Sequence, residues 1–188
     1  MTPEFDIRST DMPQEMHRLL STYPRDTWEA HPGFAEKTRH WLRAHQMFRD
    51  LAEVTRSETE LYLDKTIAPE RFAQRLSRYG NALVQNLHGH HNWEDRNFFP
   101  ELSAADTRFD RGLDILESDH TELDTVLDHF TRSANRVLKL MQLDPEQSLD
   151  EAGQLRDLSE TIERFLQRHL GDEEDLAVPI ILHHRLRG

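Results

Sequence analysis

The sequence predicts an all-α protein, an antiparallel up-and-down four-helix bundle behind an irregular N-terminal extension. Three observations support this fold class. The chain has 188 residues, which suits one domain whose core needs no covalent staples. It contains only 7 glycines and 8 prolines, which favours long helices over a turn-rich sheet. Four stretches place apolar side chains at alternating steps of three and four residues, the period of an amphipathic helix.

The extension is predicted to cover residues 1–32, because this stretch holds half of the eight prolines. Only the part from Gln14 to Leu20 has the pattern of a short helix. We expect the remainder to lie as a strap over the body of the protein. The bundle is expected to span residues 33–182, and a short tail residues 183–188.

The four predicted helices follow one another through short links, which favour antiparallel neighbours. Their predicted ranges are about 34–63, 69–99, 109–141 and 145–178. The second helix is expected to stop or bend just before Pro100, and the fourth to halt before Pro179, because proline cannot donate a helical hydrogen bond.

Composition and charge exclude several classes of function. The chain has no cysteine, so disulfides, thiolate nucleophiles and cysteine-ligated metals are ruled out. Its net charge of -12 repels nucleic acids and anionic membranes, and we expect neither as a partner. No apolar run approaches the roughly 20 residues of a membrane helix. The N-terminus does not have the pattern of a signal peptide, so a cytoplasmic location is predicted.

Histidine is the unusual feature of the composition, with 12 copies in the chain. Each of the four apolar stripes carries at least one histidine or glutamate, although burying an unpaired charge is costly. These inward-facing residues are His45 in the first helix, His90 and Glu94 in the second, His120 in the third, and His169 and Glu173 in the fourth.

The second and fourth helices end in the same arrangement. A histidine is followed four residues later by a glutamate, and six residues after that by a proline, once from His90 and once from His169. The four-residue spacing places histidine and glutamate one turn apart on the same helix face. In an up-and-down bundle these two helices lie diagonally opposite and run the same way, so we expect both pairs to reach the same height.

The six side chains are therefore predicted to converge on one layer. Four imidazoles and two carboxylates can hold two divalent metal ions, with the glutamates bridging them and two histidines on each ion. One position per ion stays open for a small ligand. Imidazole and carboxylate without sulfur suit iron, manganese or zinc. The sequence predicts no catalytic residue and no organic cofactor.

Other interpretations remain open at this point. A lone histidine on an apolar stripe is often a core residue bonded to a backbone carbonyl, and the bundle could be metal-free or zinc-bound and serve only for interaction. The pair His91–Asp95 is a shifted alternative to the pair one residue before it, disfavoured because it lies off the apolar stripe. Asp124, one turn after His120, is a candidate partner of that histidine or a seventh ligand. Ferritin-like di-iron proteins use Glu-x-x-His, the reverse of the repeated order here.

These motifs resemble those of the hemerythrin-like proteins, also called HHE cation-binding domains. The matching pieces are residues 45–49, 90–100, 117–120 and 169–179, and the resemblance covers about residues 34–180. It implies a non-haem di-iron site with the six residues above as ligands. The implied cofactor is two iron ions, Fe2+ or Fe3+, bridged by an oxo or hydroxo group, with manganese or zinc as substitutes.

The resemblance also implies a function. Family members bind O2 or NO, sense iron or redox state, or handle iron. Oxygen carriers have a His-x-x-x-His pair on the third helix, and here the second member is Asp124. The set is similar to the subgroup with four histidines and two glutamates, which includes bacterial iron–sulfur-centre repair proteins and the iron-sensing domain of a ubiquitin-ligase subunit. The expected function is binding of a small diatomic ligand or iron sensing, and the alternative is a di-iron oxidoreductase acting on peroxide or NO, or an iron-handling protein.

Overall fold

The computed structural model describes Phe5 and residues 7–186. Residues 1–4, Asp6 and residues 187–188, which belong to the predicted extension and tail, lie outside the described part. The described residues form an all-α fold without strands, as predicted. The five α-helices are α1 (Glu36–Leu63), α2 (Pro69–Trp93), α3 (Phe99–Ala105), α4 (Asp110–Leu143) and α5 (Pro145–His184).

The four long helices form the predicted bundle. α1 packs against α2 and α5, and α4 packs against the same two helices, so that α2 and α5 lie diagonally opposite. α5 begins at a defined N-terminus, because the Asp144 carboxylate accepts a hydrogen bond from the backbone N–H of Gln147. In the described part of the extension, short 3-10 helices form at Gln14–His17 and Arg25–Thr27, and the predicted helix from Gln14 to Leu20 is reduced to the first of them.

A layer of buried polar side chains separates two apolar clusters in the bundle. Cluster A, at the end where α1 leads into α2, includes Phe72, Phe130 and Phe165. Cluster B, at the opposite end, includes Phe109 and Leu176, and the extension contributes to it. The side chains of the extension that are buried in cluster B are Met12, Met16 and Trp28. Phe5 and Ile7 of the extension pack against cluster A instead, so the extension crosses the level of the polar layer on its way to the cluster B end.

Each long helix passes from one cluster to the other through the polar layer. Buried residues that mark this passage are Trp41, His45 and Phe48 in α1, Leu87, His91, Glu94 and Phe98 from α2 onwards, Leu116, His120 and Leu123 in α4, and Leu170, Glu173 and Leu176 in α5. The helical period thus continues through the layer, with histidine or glutamate in place of apolar residues.

The second helix bends before Pro100, as predicted, and the bend is a π-helical turn at Glu94–Phe98. The backbone N–H of Phe99 donates to the carbonyl of Glu94, five residues back. The wider turn shifts the helical phase, so that Phe98 and Phe99 are both buried. The chain then continues into α3, where a loop was predicted, because Pro100 lies in the first turn, which needs no donor from it.

The predicted stop before Pro179 is wrong. α5 continues through this proline to His184, the second residue of the predicted tail. A proline inside a helix removes a hydrogen bond and costs about 3 kcal/mol. The flanking side chains Val178, Ile180 and Ile181 are all buried in cluster B, and burying such side chains gains about 1.5–3 kcal/mol each. Packing against the other helices therefore outweighs the loss at Pro179.

Among the described residues, none of the helices combines the length and the apolar character that crossing a lipid bilayer requires.

Candidate metal centre

The structure brings all six predicted side chains into the polar layer, together with His91. They form two groups, in each of which the candidate ligand atoms lie within 4.8 Å of one another. The first group is His45, His90, Glu94 and Glu173, and the second is His91, His120 and His169. All four long helices contribute.

In the first group, the atoms that face one another are two imidazole nitrogens and two carboxylate oxygens. His45 Nε2 lies 3.0 Å from His90 Nε2 and 3.5 Å from Glu173 Oε2. His90 Nε2 lies 2.8 Å from Glu94 Oε1. The same oxygen accepts a 2.7 Å hydrogen bond from the indole N–H of Trp41. The carboxylate of Glu94 is therefore held in place by a neutral donor on α1.

In the second group, three imidazoles surround one point. The rings of His91 and His120 are stacked, with centroids 3.9 Å apart and planes 9° apart. The ring of His169 meets both at a steep angle, with its centroid 4.9 Å from that of His120 and 5.8 Å from that of His91.

The two glutamates each face both groups. Glu94 directs Oε1 at His90, and its Oε2 lies 3.7 Å from His120 Nε2 in the second group. Glu173 Oε2 lies 3.5 Å from His45 Nε2 and 3.8 Å from His169 Nε2. This placement is the one that a carboxylate needs to bridge two cations.

Three of the histidines are oriented by a carboxylate on the far side of the ring. A carboxylate can only accept, so each of these Nδ1 atoms carries a proton, and in the neutral ring this leaves the Nε2 lone pair free for the layer. The pairs are His45 with Glu174 at 3.0 Å, His120 with Asp95 at 2.7 Å and His169 with Asp119 at 3.3 Å. Histidines that bind metals almost always donate their second nitrogen in this way.

The layer contains a concentration of buried polar atoms without a hydrogen-bond partner. Leaving such an atom unsatisfied costs about 1–3 kcal/mol, more for a charged group, and native proteins have few of them. In the layer, the described atoms of this kind are both ring nitrogens of His91, Nε2 of His120 and of His169, Oε2 of Glu94, and both carboxylate oxygens of Glu173. Most of these atoms offer lone pairs, and the layer holds too few hydrogen-bond donors to satisfy them all. An excess of acceptors that face one another fits a bound cation.

Without a metal, the two glutamates differ in how readily they ionise. Burial opposes ionisation of Glu94, yet its contacts with His45 and His90 lower its pKa well below the ordinary value. Burial and the neighbouring charge of Glu94 raise the pKa of Glu173 well above the ordinary value. The two shifts have opposite directions, so Glu94 is the carboxyl that more readily carries the negative charge and Glu173 the one that more readily keeps a proton.

Burial favours the neutral form of two histidines in the second group, His91 and His169. Burial lowers the pKa of His91 well below the ordinary value, and the nearby rings of His120 and His169 act in the same direction. Burial also lowers the pKa of His169 to about 4, although Asp119 opposes this shift. Only neutral imidazole has a free lone pair, so these rings are in the form that binds a metal.

A surface pocket reaches the layer at His90. Its volume is about 570 Å³, and its walls are Trp41, Ala44 and Trp93, with Glu36, Lys37 and His40 as polar members. The side chain of His90 is 10% exposed, whereas the other candidate ligands are at most 3% exposed. The first group of ligands is therefore the one next to the pocket.

Sequence reasoning disfavoured His91, which the structure places in the layer, and misplaced Asp124. His90 follows Leu87 by three residues and His91 follows it by four, so both lie on the same helix face as Leu87. The sequence therefore contained the signal for His91. Asp124 is half exposed and contacts Nδ1 of His88 at 3.0 Å, so its predicted role at His120 is wrong. Asp95, considered only as a ligand beside His91, is the partner of His120 instead.

The comparisons with known proteins point to one family. The family model described as hemerythrin HHE cation binding domain matches residues 36–181, which run from the start of α1 to near the end of α5. Searches of curated proteins and of solved structures gave no match. The matched stretch is more than half of the chain and includes all seven side chains of the layer. The chain belongs to the hemerythrin HHE cation-binding domain family.

Proposed function

We propose that the protein holds two iron ions in the polar layer and binds a small diatomic ligand, O2 or NO, at one of them. The observation that carries the proposal is the set of buried, unpartnered nitrogen and oxygen atoms that face one another between two apolar clusters. Neutral imidazoles and carboxylates without sulfur are suitable ligands for iron, and manganese or zinc could replace it.

The seven side chains divide unequally between two ions. His91, His120 and His169 would hold one ion, and His45 and His90 the other, with both glutamates shared. The ion beside His45 and His90 would have one protein ligand fewer, which leaves more of its positions open. When bound, the iron pair would supply the redox chemistry and the open position for a diatomic molecule.

The residues around the first group provide access from solvent. The pocket walled by Trp41, Ala44 and Trp93 ends at His90, on the side with fewer ligands. Its volume of about 570 Å³ is far larger than the roughly 30 Å³ that a water molecule occupies in the liquid. Diatomic molecules can therefore enter the pocket, and its apolar walls favour an uncharged ligand.

The experiment that tests this proposal is a gas titration of iron-loaded protein followed by visible absorption. We expect the spectrum to change on adding O2 or NO and to return when the gas is removed. Ala44→Phe adds a ring inside the pocket, so association should slow at least several-fold.

The matched control is Ala104→Phe, because Ala104 is exposed on α3 and does not line the pocket. This variant should bind gas at the original rate. Iron-loaded protein that responds to neither gas would contradict the proposed ligand class.

A second candidate function is an oxidoreductase that acts on peroxide or NO at the same site. The observation in its favour is that the pocket also carries Glu36, Lys37 and His40, side chains that can exchange protons with solvent close to His90. Steady consumption of peroxide or NO by iron-loaded protein, in place of a reversible spectral change, would select this candidate.

A further inference from the structure

The N-terminal extension carries two arginines that bind the carboxylates behind the polar layer. Arg8 and Arg25 both precede residue 36, so they lie outside the stretch that matches the family. Arg8 contacts Asp119, and Arg25 contacts Glu174. Each of these carboxylates accepts a hydrogen bond from a histidine of the layer.

The contact between Arg8 and Asp119 uses both ends of the guanidinium fork. Arg8 Nε lies 3.1 Å from Asp119 Oδ1, and Nη2 lies 2.8 Å from Oδ2. Nη2 also donates to Asp172 on α5 at 2.6 Å. The Asp119 carboxylate is 1% exposed, and its Oδ2 accepts from His169 Nδ1 at 3.3 Å. A two-point contact fixes the plane of the carboxylate, and so the direction from which His169 must donate.

Arg25 forms the corresponding contact at the other group. Its Nη1 donates to Glu174 Oε2 at 2.8 Å, while Glu174 Oε1 accepts from His45 Nδ1 at 3.0 Å. Arg25 also donates to the carbonyl of Gly171 and to the side chain of Asp175, one helical turn apart on α5. The guanidinium is therefore anchored at three points around Glu174.

The third carboxylate of this kind is in a different setting. Asp95, the partner of His120, is 28% exposed and can be solvated by water. Asp119 and Glu174 are only 1% and 6% exposed, and a buried carboxylate needs fixed partners to keep its charge and direction. The two arginines of the extension thus bind the two carboxylates that are too buried to be solvated by water.

We propose that Arg8 and Arg25 are positioning residues of the metal centre: through Asp119 and Glu174, the extension fixes the orientation of His169 and His45. This inference rests on the metal-binding part of the proposed function. Each carboxylate has a second arginine, but that one holds a single oxygen: Arg168 contacts Asp119 Oδ1 at 3.3 Å, and Arg49 contacts Glu174 Oε1 at 2.9 Å. Without Arg8 or Arg25 the other oxygen loses its guanidinium partner, and the carboxylate can rotate away from the histidine or turn towards the layer. In either case the histidine loses the acceptor that aims its Nε2 at the metal.

The first test measures the affinity for Zn²⁺ alone, by competition with a chelator, in Arg8→Ala and Arg25→Ala. Replacing partners of metal-binding histidines weakens affinity by about 10- to 100-fold, and we expect about tenfold here because the arginines act one contact further out. Arg8→Lys keeps the charge without the fork and should give an intermediate affinity.

The matched control is Arg111→Ala. Arg111 on α4 binds Glu15 of the extension at 2.8 Å, with both side chains exposed, and it touches neither carboxylate. It should leave the Zn²⁺ affinity unchanged. An equal loss in this control would attribute the effect to docking of the extension in general and would overturn the proposal.

The second test uses NMR of the metal-free protein and does not depend on bound metal. Arg8→Ala should shift the Nδ1–H signal of His169 and leave that of His45, and Arg25→Ala should do the reverse.

A third measurement is a double-mutant cycle: Arg8→Ala should add no further loss of Zn²⁺ affinity in an Asp119→Asn background.

The outcomes separate the two proposals. If the original protein binds no metal, the proposed function fails, while the NMR signals still report on the two histidines. If it binds Zn²⁺ and both arginine variants bind within twofold of it, with unchanged histidine signals, the positioning role is wrong. Fully additive losses in the double-mutant cycle would also contradict action through Asp119.

Discussion

Removing the metal from the protein should lower its melting temperature by roughly 8–16 °C, and adding Fe²⁺ without oxygen should restore it. The candidate ligands come from four helices and meet only in the folded chain, so binding energy becomes folding energy. At a free metal concentration about 1,000-fold above Kd the gain is about 4 kcal/mol, and 1 kcal/mol shifts Tm by about 2–4 °C in a chain of this size. Thermal unfolding followed by circular dichroism measures the shift.

Two histidine variants provide the contrast for this result. His120→Ala removes a ligand whose Nε2 is buried and unpartnered, and it should cancel most of the metal-induced shift. His88→Ala changes a half-buried histidine whose ring faces Asp124, away from the layer, and it should leave the shift intact. Equal melting temperatures with and without metal, or equal effects of the two variants, would refute the site.

If Glu94 and Glu173 bridge two metal ions as proposed, replacing either by glutamine should cost the protein at least one of the ions. Glutamine keeps the size of the side chain but removes the negative charge from between two cations. Glu94 and Glu173 both face the two groups of ligands. The glutamate that remains therefore cannot replace the negative charge of the one that was changed. Metal analysis of the purified variants measures the content. Glu160→Gln, on the exposed face of α5, is the control and should retain both ions.

The metal-free forms of these two variants should differ from each other. Because burial and the charge of Glu94 raise the pKa of Glu173 well above its ordinary value, ionising this carboxyl is unfavourable in the metal-free protein, and Glu173→Gln should leave Tm equal or higher. Glu94 is ionised, accepts a hydrogen bond from the indole N–H of Trp41, and lies next to His90. Glu94→Gln removes the charge from these contacts and should therefore lower Tm. Unchanged metal content in both variants would contradict the bridging role.

The sequence was sufficient for the bundle and for the six predicted side chains of the layer, because both depend on the helical period. Each long helix keeps its stripe of three- and four-residue steps through the layer, and the period alone brings His45, His90, His120 and His169 inward. The same period also admits His91, which was disfavoured because it was taken to lie off the apolar stripe. On a helix, residues three and four steps after Leu87 share one face.

The residues behind the histidines could not be assigned from one helix at a time. Asp95, Asp119 and Glu174 each stand next to a predicted ligand in sequence, yet each binds a histidine on another helix. Their roles depend on how the helices pack, which periodicity does not specify. Asp124 illustrates the limit: its four-residue spacing from His120 suggested a contact, but Asp124 faces His88, and Asp95 is the partner of His120.

The ends of the helices depended on tertiary packing as well. The local rule that proline stops a helix predicted an end before Pro179, but the apolar side chains on either side of it are buried in cluster B, and α5 continues. The contacts of Arg8 and Arg25 were equally out of reach, because an irregular strap has no period from which its position on the bundle can be read.

The central claim is that the layer holds two metal ions, and its most direct test is the metal content of protein purified without oxygen from iron-supplied cells. Metal analysis at saturation should find two iron ions per chain, because the candidate ligands form two groups that share two carboxylates. One ion or fewer per chain at full occupancy would contradict the claim.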